Sequence, residues 1–280
     1  MGAAPASRNP PGLGGRNPAM KIVTLVKHVP DATADRTFNA ADNTTDRAGV
    51  DGLLSELDEY AVEEALKIAE AGDGVEIVAL TMGPDGADAA LKKALQMGAD
   101  SGVHVVDDAL HGSDALATAQ VLAAAIAKVG DVDLVLTGMA STDGSMSVVP
   151  AMLAEHLGLA HVGFVGELTV SGATVTARRD GDVASETIEA DLPAVVSVTD
   201  QINEPRYPSF KGIMAAKKKP VETWTLADLG VDAGAVGLDA AFSVVREVTK
   251  RPERTAGTVV TDEGDGGVKL AEFLAAQKFI

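Results

Sequence analysis

The sequence has no cysteine and few aromatic residues, which make up only 3% of its 280 residues. Without cysteine, the chain forms no disulfide, no thiolate metal site and no cysteine nucleophile. Apolar residues still account for 46% of the sequence, so the core must be built from Val, Ile, Leu and Ala. A small-residue, β-branched core is typical of parallel sheets covered by helices.

Positive charge is also scarce, because 23 Lys and Arg face 41 Asp and Glu and leave a formal net charge of -18. The resulting field repels phosphate, which argues against general binding to nucleic acid or to anionic lipid. No apolar run reaches the roughly 18 residues of a membrane span. We therefore expect a soluble, cytoplasmic protein with no nucleic-acid partner and no direct membrane insertion.

The N-terminal residues 1–19 are rich in Pro, Gly and Ala and show no apolar period. They also lack the continuous apolar segment of a secretory signal. We expect them to be a disordered extension that plays no part in function.

From residue 20 to about 158, short apolar runs alternate with amphipathic segments. The runs that read as strands are KIVTLV, VEIVALTMG, GVHVV and VDLVLTG. The segment 55–72 predicts a helix with Ser55 as its N-cap, Gly72 as its end and the pair Glu63 and Glu64 on its solvated side. This alternation predicts a Rossmann-like, doubly wound, mostly parallel sheet.

Residues 162–199 change to alternating polar and apolar positions, which predicts an added section of antiparallel strands completing the sheet. We expect one α/β domain over 20–225. The remaining residues, 226–280, carry little apolar content of their own. They are expected to form an extended C-terminal arm that packs on this chain's body or on another subunit.

The loop 138–148 runs from a predicted strand into a helix N-terminus, the place where open α/β sheets bind ligands. Free N–H groups at a helix N-terminus suit a phosphate. However, neither G-x-G-x-x-G nor G-x-x-x-x-G-K-[ST] occurs, so a phosphate site and an ordinary connection both remain open. No nucleophile, base and orienting group assemble, and no metal site is predicted. We therefore do not expect an enzyme.

The stretch NEPRYPSFKGIMAAKKKP, residues 203–220, is basic and hydrophobically tipped within an acidic chain. Its prolines restrict the backbone, so a presented loop is predicted. An apolar tip ringed by basic residues is typical of docking surfaces, although a solvated lysine cluster is the alternative. The candidate docking residues are Pro208, Phe210, Ile213, Met214, Lys217, Lys218 and Lys219.

This stretch, with the residues on either side of it, resembles the characteristic segment of electron transfer flavoprotein β subunits. The motifs KIVTLVKHVPD, DEYAVEEALKIAE, LTMGP, KKALQMGAD, VDLVLTG and LADLGVD follow in the family's order. The resemblance covers residues 20–280. It implies a non-catalytic subunit of a heterodimer whose α subunit holds most of the FAD. Such a pair accepts electrons from flavin dehydrogenases, such as acyl-CoA dehydrogenases, and passes them to a membrane quinone oxidoreductase.

The resemblance also implies an adenine-nucleotide-binding fold with a structural AMP. The residues that match the family's AMP-contacting positions are Leu25, Ser55, Glu56, Leu57, Asp58, Met82, Asp143, Gly144, Ser145, Met146, Ser147, Val148 and Val149. Leu25 and Met82 would line the adenine, and 143–149 would hold the phosphate. Because this loop departs from the family's D-G-D-T-G-Q-V-G pattern, a second FAD, as in bifurcating relatives, stays an alternative.

Two further expectations follow from the resemblance. Residues 203–219 match the family's recognition loop, with Phe210 at a tip where many relatives have Leu. The turn His28–Ala32 is the candidate for approaching the isoalloxazine ring. A free-standing, stress-type nucleotide-binding protein would share this sheet, but that alternative explains neither the basic stretch nor the tail.

Overall fold

Strands and helices alternate through most of the structure, a computed structural model that describes residues 20–254 and 257–280. The strands are β1 (Lys21–Leu25), β2 (His28–Pro30), β3 (Gly52–Leu54), β4 (Glu76–Met82), β5 (Ser101–Val105), β6 (Leu134–Gly138), β7 (Ala160–Val165), β8 (Glu167–Ser171), β9 (Thr174–Asp180), β10 (Ser185–Asp191), β11 (Ala194–Val198) and β12 (Val221–Trp224). The helices are α1 (Glu56–Ala71), α2 (Asp88–Met97), α3 (Ala115–Val129), α4 (Val149–Leu157), α5 (Phe210–Ala216), α6 (Leu226–Leu229) and α7 (Gly266–Ala276). The predicted N-terminal extension, 1–19, lies outside the described residues.

The central sheet has the strand order β12-β5-β4-β1-β6-β11-β7. All of its strand pairs are parallel. From β1 the chain proceeds outward through β4 and β5, then returns to the other side of β1 to form β6. The order therefore reverses between β1 and β6, where the carboxyl ends of the strands open a crevice. The predicted Rossmann-like, doubly wound fold is confirmed.

Helices cover both faces of this sheet. On one face, α1 and α2 pack small residues such as Ala65 and Ala94 against β1 and β4. On the other face, α3 packs against α4, which covers β11 and β7, and Ala125 and Leu153 share a core with Val23 of β1 and Val195 of β11. Adjacent β1 residues, Ile22 and Val23, are buried on opposite faces, which is why this strand reads as an unbroken apolar run.

The prediction for residues 162–199 is partly wrong. The strands that complete the central sheet, β7 and β11, are parallel. Strand β11 is buried at every position, and its sequence AVVSV is a nearly continuous apolar run. The alternating segments instead form a separate antiparallel sheet in the order β10-β9-β8. These strands alternate because only one of their faces is covered.

The solvated position predicted for Glu63 and Glu64 is also wrong. Both residues are buried, at 6% and 3% exposure. Glu63 binds Arg206, and Glu64 binds Lys67 and the amide of Asn203. Residues from the 203–206 segment therefore cover this side of α1, and the buried carboxylates are paired as burial requires.

The predicted loop over 203–219 contains a short helix, α5. The Ser209 hydroxyl caps it by accepting the N–H of Gly212 at 3.0 Å. Gly212 also lets α5 approach α2 closely, because a Cβ at this position would lie 2.5 Å from the backbone oxygen of Gln96. The sequence did not predict α5, because this helix follows a Pro-rich stretch and is too short for its apolar residues to show a helical period.

Residues after 225 continue onto the body of the first domain. Helix α6 begins with a capping box made by Thr225 and Asp228. Leu226 and Val236 are buried in the core on the α3 side. The chain divides into two units, with the first ending at Arg246 and the second comprising Glu247–Ile280.

The second unit contains α7 within a segment that otherwise has no strand or helix over its described residues. Its apolar side chains Val268, Leu270 and Phe273 are exposed. Residues 255–256, in the predicted arm, lie outside the description. Over the described chain, no helix is both long and apolar enough to cross a membrane.

Substitutions of Lys219 and of its exposed neighbour Lys218 test whether the Lys219 side chain stabilises the C-terminal end of α2. The Lys219 ammonium donates to the carbonyls of Leu95, at 3.0 Å, Gly98, at 2.9 Å, and Ala99. We expect Lys219→Met to lower the free energy of unfolding by about 1–3 kcal/mol, because three carbonyls lose a charged donor. The exposed Lys218→Met should change it by less than about 0.5 kcal/mol. Urea unfolding of the purified variants measures both values, and equal effects would contradict the capping role.

Candidate functional site

The candidate site lies at the carboxyl edge of the sheet, where the strand order reverses between β1 and β6. It is built from the loop 139–148 after β6, from Lys27 after β1 and from the first turn of α1. Gly138 lets these parts meet, because a Cβ there would lie 2.6 Å from the Leu57 carbonyl oxygen. The Ser55 hydroxyl, which caps no helical N–H of α1, accepts the N–H of Thr142 at 3.3 Å and joins helix to loop.

Asp143 is the centre of this loop's ionic contacts. Its side chain is only 5% exposed, and its two carboxylate oxygens lie 2.8 Å from Lys27 Nζ and 2.8 Å from Arg47 Nη2. Burial alone would raise the pKa of Asp143, but the charge and hydrogen bond of Lys27, with Ser141 and Arg47, hold that pKa well below its usual range. Asp143 is therefore ionised and neutralised by its partners.

A third cation binds the backbone of the same loop. Arg36 donates to the carbonyl oxygens of Thr142, at 2.7 Å, and Asp143, at 3.2 Å. Lys27, Arg36 and Arg47 thus all bind this loop, two of them at the Asp143 carboxylate and one at the backbone. Three cations gather here although the whole chain carries -18. Such a site attracts an anion where most of the surface repels one.

The backbone at the end of the loop has N–H groups without a protein acceptor among the described residues. Ser145 and Ser147 have φ of 52° and 56°, a left-handed conformation that non-glycine residues seldom adopt. Val148 returns to the right-handed helical region just before α4. In the described part of the chain, the N–H groups of 146–149 donate to no protein acceptor. A left-handed residue followed by a right-handed one, with N–H groups that no protein acceptor uses, is a backbone arrangement that suits an anion, and here it precedes a helix N-terminus.

Asp58 lies beneath this loop in the first turn of α1. It is 7% exposed, and its carboxylate accepts the backbone N–H of Lys27 at 2.9 Å. Burial raises the pKa of Asp58 to about 7, against the opposing effect of the Lys27 N–H and ammonium. Asp58 is therefore a carboxyl group that titrates near neutral pH inside the site.

The structure brings two of the predicted nucleotide segments close together, because Ser55 accepts the N–H of Thr142, next to Asp143, and Leu57 and Asp58 lie against Gly138. Leu25 and Met82 lie at the carboxyl ends of β1 and β4, where Leu25 is 9% exposed. Glu56, in contrast, is exposed. The predicted turn at His28 is instead the short strand β2, which pairs antiparallel with β3.

The predicted docking residues lie on or beside α5. Phe210 is 80% exposed, and Ile213 and Met214 are partly exposed on the same short helix. Lys217 and Lys218 are exposed, whereas Lys219 is held by the end of α2. Pro208 precedes the helix cap.

Sequence reasoning missed several functional candidates. Tyr207 stands beside the tip and is 92% exposed. The three site cations, Lys27, Arg36 and Arg47, were also missed because their partner Asp143 is about a hundred residues away in sequence. Only the position of Lys27, directly after the first strand, gave a usable signal.

Comparison with known proteins identifies the family. A sequence model described as "Electron transfer flavoprotein domain" matches residues 42–229, more than half of the chain. The chain belongs to the electron transfer flavoprotein family. The chain is 48% identical over 263 residues to the electron transfer flavoprotein subunit beta of Mycobacterium tuberculosis strain H37Rv, a match covering 92% of this chain and 99% of that protein. The resemblance seen in the sequence is thereby confirmed.

More distant relatives share almost the same extent. The electron transfer flavoprotein subunit beta of Megasphaera elsdenii is 33% identical over 93% of this chain and 100% of that protein. Subunit CarD of the caffeyl-CoA reductase-Etf complex of Acetobacterium woodii is 34% identical over 86% of this chain and 92% of that protein.

We expect Asp58→Asn to change how stability depends on pH. Because the folded-state pKa of about 7 lies above the ordinary 3.8, the folded protein holds this proton more tightly than the unfolded chain. The stabilising effect of the proton bound to Asp58 is complete below about pH 4 and is lost as pH rises toward 7. Relative to Asp58→Asn, the wild type should thus lose roughly 2–4 kcal/mol over this range. Urea unfolding between pH 4 and 7 measures the difference, with the exposed Asp182→Asn as control. Parallel profiles for wild type and Asp58→Asn would contradict the assignment.

Proposed function

We propose that this chain is the β subunit of a heterodimeric electron transfer flavoprotein and acts as an electron carrier in the cytoplasm. Its α subunit holds most of the FAD, which supplies the electron-transfer chemistry. The pair accepts electrons from acyl-CoA and related flavin dehydrogenases and delivers them to a membrane quinone oxidoreductase. The observation that carries the proposal is full-length membership of the family together with an exposed aromatic tip on a basic segment.

The role of this chain is to bind and present rather than to catalyse. Among the described residues, the buried ionisable groups of the site are engaged with one another, as Asp143 is with Lys27 and Arg47. None is arranged as a nucleophile with its base. The exposed apolar side chains of α7 support the proposal that the C-terminal segment packs on the α subunit, because apolar surface of this kind favours a protein partner.

We infer that the site between β1 and β6 binds AMP in a structural role. The fit rests on three features of this chain. The free N–H groups of 146–149 and the N-terminus of α4 suit a phosphate. The cations at Lys27, Arg36 and Arg47 leave the site positive. Leu25 and Met82 offer an apolar edge to an adenine ring. The loop holds the phosphate through its backbone, so the loss of the family's Thr and Gln side chains is tolerated.

Docking of dehydrogenases is assigned to α5 and its flanks. Phe210 is an apolar side chain exposed at the helix start, and Lys211, Lys217 and Lys218 surround it with positive charge. A desolvated aromatic anchor supplies affinity, and surrounding charges steer a partner of opposite charge. The partner is therefore expected to present an apolar pocket with an acidic rim.

Phe210→Ala tests the docking assignment. We expect electron acceptance from an acyl-CoA dehydrogenase to slow by about tenfold or more, because an interface anchor is removed. Flavin content should stay unchanged, since the tip lies on the surface. Stopped-flow reduction of the flavin measures the rate. Val183→Ala, at a side chain that is 99% exposed on a β-hairpin, is the control. An unchanged rate in Phe210→Ala would contradict the assignment.

Nucleotide analysis of the purified heterodimer tests the AMP assignment. The chain is co-expressed with a candidate α subunit, the complex is denatured and the released nucleotides are identified by mass. We expect one FAD and one AMP per heterodimer. Two FAD would instead favour the bifurcating alternative. Absence of complex and flavin would contradict the proposed function as a whole.

Matched variants at Ser147 test how the phosphate is held. Ser147→Gly keeps the left-handed backbone and its N–H groups, so AMP content should be retained. Ser147→Val disfavours this conformation, and AMP content should fall while FAD stays at one per heterodimer. Equal loss of AMP in both variants would assign the contact to the serine hydroxyl and contradict binding by the backbone.

A further inference from the structure

The segment that carries α5 is joined to α1 by an ion pair between half-buried Arg206 and the buried carboxylate of Glu63. Arg206 donates from Nε to Glu63 Oε2 at 2.8 Å and from Nη2 to Glu63 Oε1 at 2.9 Å. The backbone N–H of Arg206 adds a third bond to Glu63 Oε2 at 3.1 Å. The guanidinium also pairs with Glu70, two helical turns further along α1. One arginine thus joins this segment to two carboxylates of a single helix.

We propose that Arg206 is a positioning residue for docking, and that its pairing with Glu63 holds α5 in the orientation that a dehydrogenase recognises. This inference rests on the proposed function. The Glu63 side chain is 8% exposed, so its carboxylate is desolvated and depends on Arg206 for neutralisation. Arginine suits this position because its planar fork matches both carboxylate oxygens at once, which lysine cannot do.

Other contacts fix the same segment at neighbouring points. The Asn203 amide donates to the Tyr60 carbonyl and to Glu64, each at 3.0 Å. Beyond α5, Lys219 is held by carbonyls at the end of α2. Helix α5 therefore lies between two anchored points of the chain. Arg206 is the one nearer to Phe210 in sequence.

This arrangement explains how a surface segment with an 80% exposed tip can bind a partner productively. A mobile segment would lose conformational freedom on association, and this loss would weaken binding. Because α5 has only seven residues, it is not stable as a helix on its own. Its order must come from its packing on α2, where Gly212 approaches Gln96, and from the two anchors that flank it, and this order places the Phe210 ring before the partner arrives.

The test uses the flavin-loaded heterodimer with an acyl-CoA dehydrogenase that reduces the wild-type protein. Arg206→Met removes the anchor but leaves Glu63 buried without a partner. The double variant Arg206→Met with Glu63→Leu removes both charges, so folding is preserved while the anchor is still absent. Arg206→Lys keeps the charge and loses the fork. Arg178→Met, at an exposed arginine paired with Glu167 on another sheet, is the matched control.

We expect the KM of the dehydrogenase for the flavoprotein to rise about tenfold in Arg206→Met and in the double variant, with kcat and flavin content unchanged. Arg206→Lys should show a smaller rise, and Arg178→Met none. Hydrogen exchange at the Ile213 amide, which donates to the Ser209 carbonyl, should become faster in the same order. A purely structural role would alter stability and leave KM unchanged once the double variant restored folding.

The outcomes separate this inference from the function on which it rests. If Phe210→Ala raises KM and the folded double variant does not, docking stands and the positioning role of Arg206 is overturned. If neither variant affects KM, the assignment of α5 as the docking element fails as well. A raised KM in the double variant with unchanged exchange at Ile213 would overturn positioning in favour of direct contact by Arg206.

Discussion

The paired charges of Asp143 determine the shape of the candidate site. This one buried carboxylate joins the end of β1, through Lys27, to the long segment before β3, through Arg47. A carboxylate so far out of water requires both partners. The loop after β6 is thereby held in place, and the left-handed residues Ser145 and Ser147 that follow it keep a conformation that a free chain would abandon.

The same constraint reconciles the site with the acidity of the chain. A surplus of negative charge over the whole surface disfavours binding of phosphate. In the crevice between β1 and β6, however, three cations bind the loop that carries Asp143. At the other functional region, the positive residues near Phe210 serve a different purpose. Arg206 and Lys219 make contacts within the protein, whereas Lys211, Lys217 and Lys218 are exposed to solvent. Composition alone does not distinguish these uses.

The fold was largely predictable because its signals are local. Strand β1 and helix α1 can be recognised from the spacing of their apolar residues and from the turn residues at their ends. The features that were predicted wrongly depend on partners that are distant in the sequence. Whether β11 runs parallel depends on its neighbour β6, and the burial of Glu63 depends on Arg206, a residue far along the chain. Periodicity carries no information about partners that meet only in the folded state. The loop after β6 was singled out from the sequence, but the cations that bind it and its backbone conformation were not.

Helix α1 contributes to the candidate site and to the segment proposed for docking. Its first turn supplies Asp58 to the candidate site, while Glu63 near its middle and Glu70 in its last turn bind Arg206. With 16 residues, it is a rod about 24 Å long. Asp58 and Glu63 therefore keep a fixed separation on one helix, and a substitution that shifts α1 would displace both.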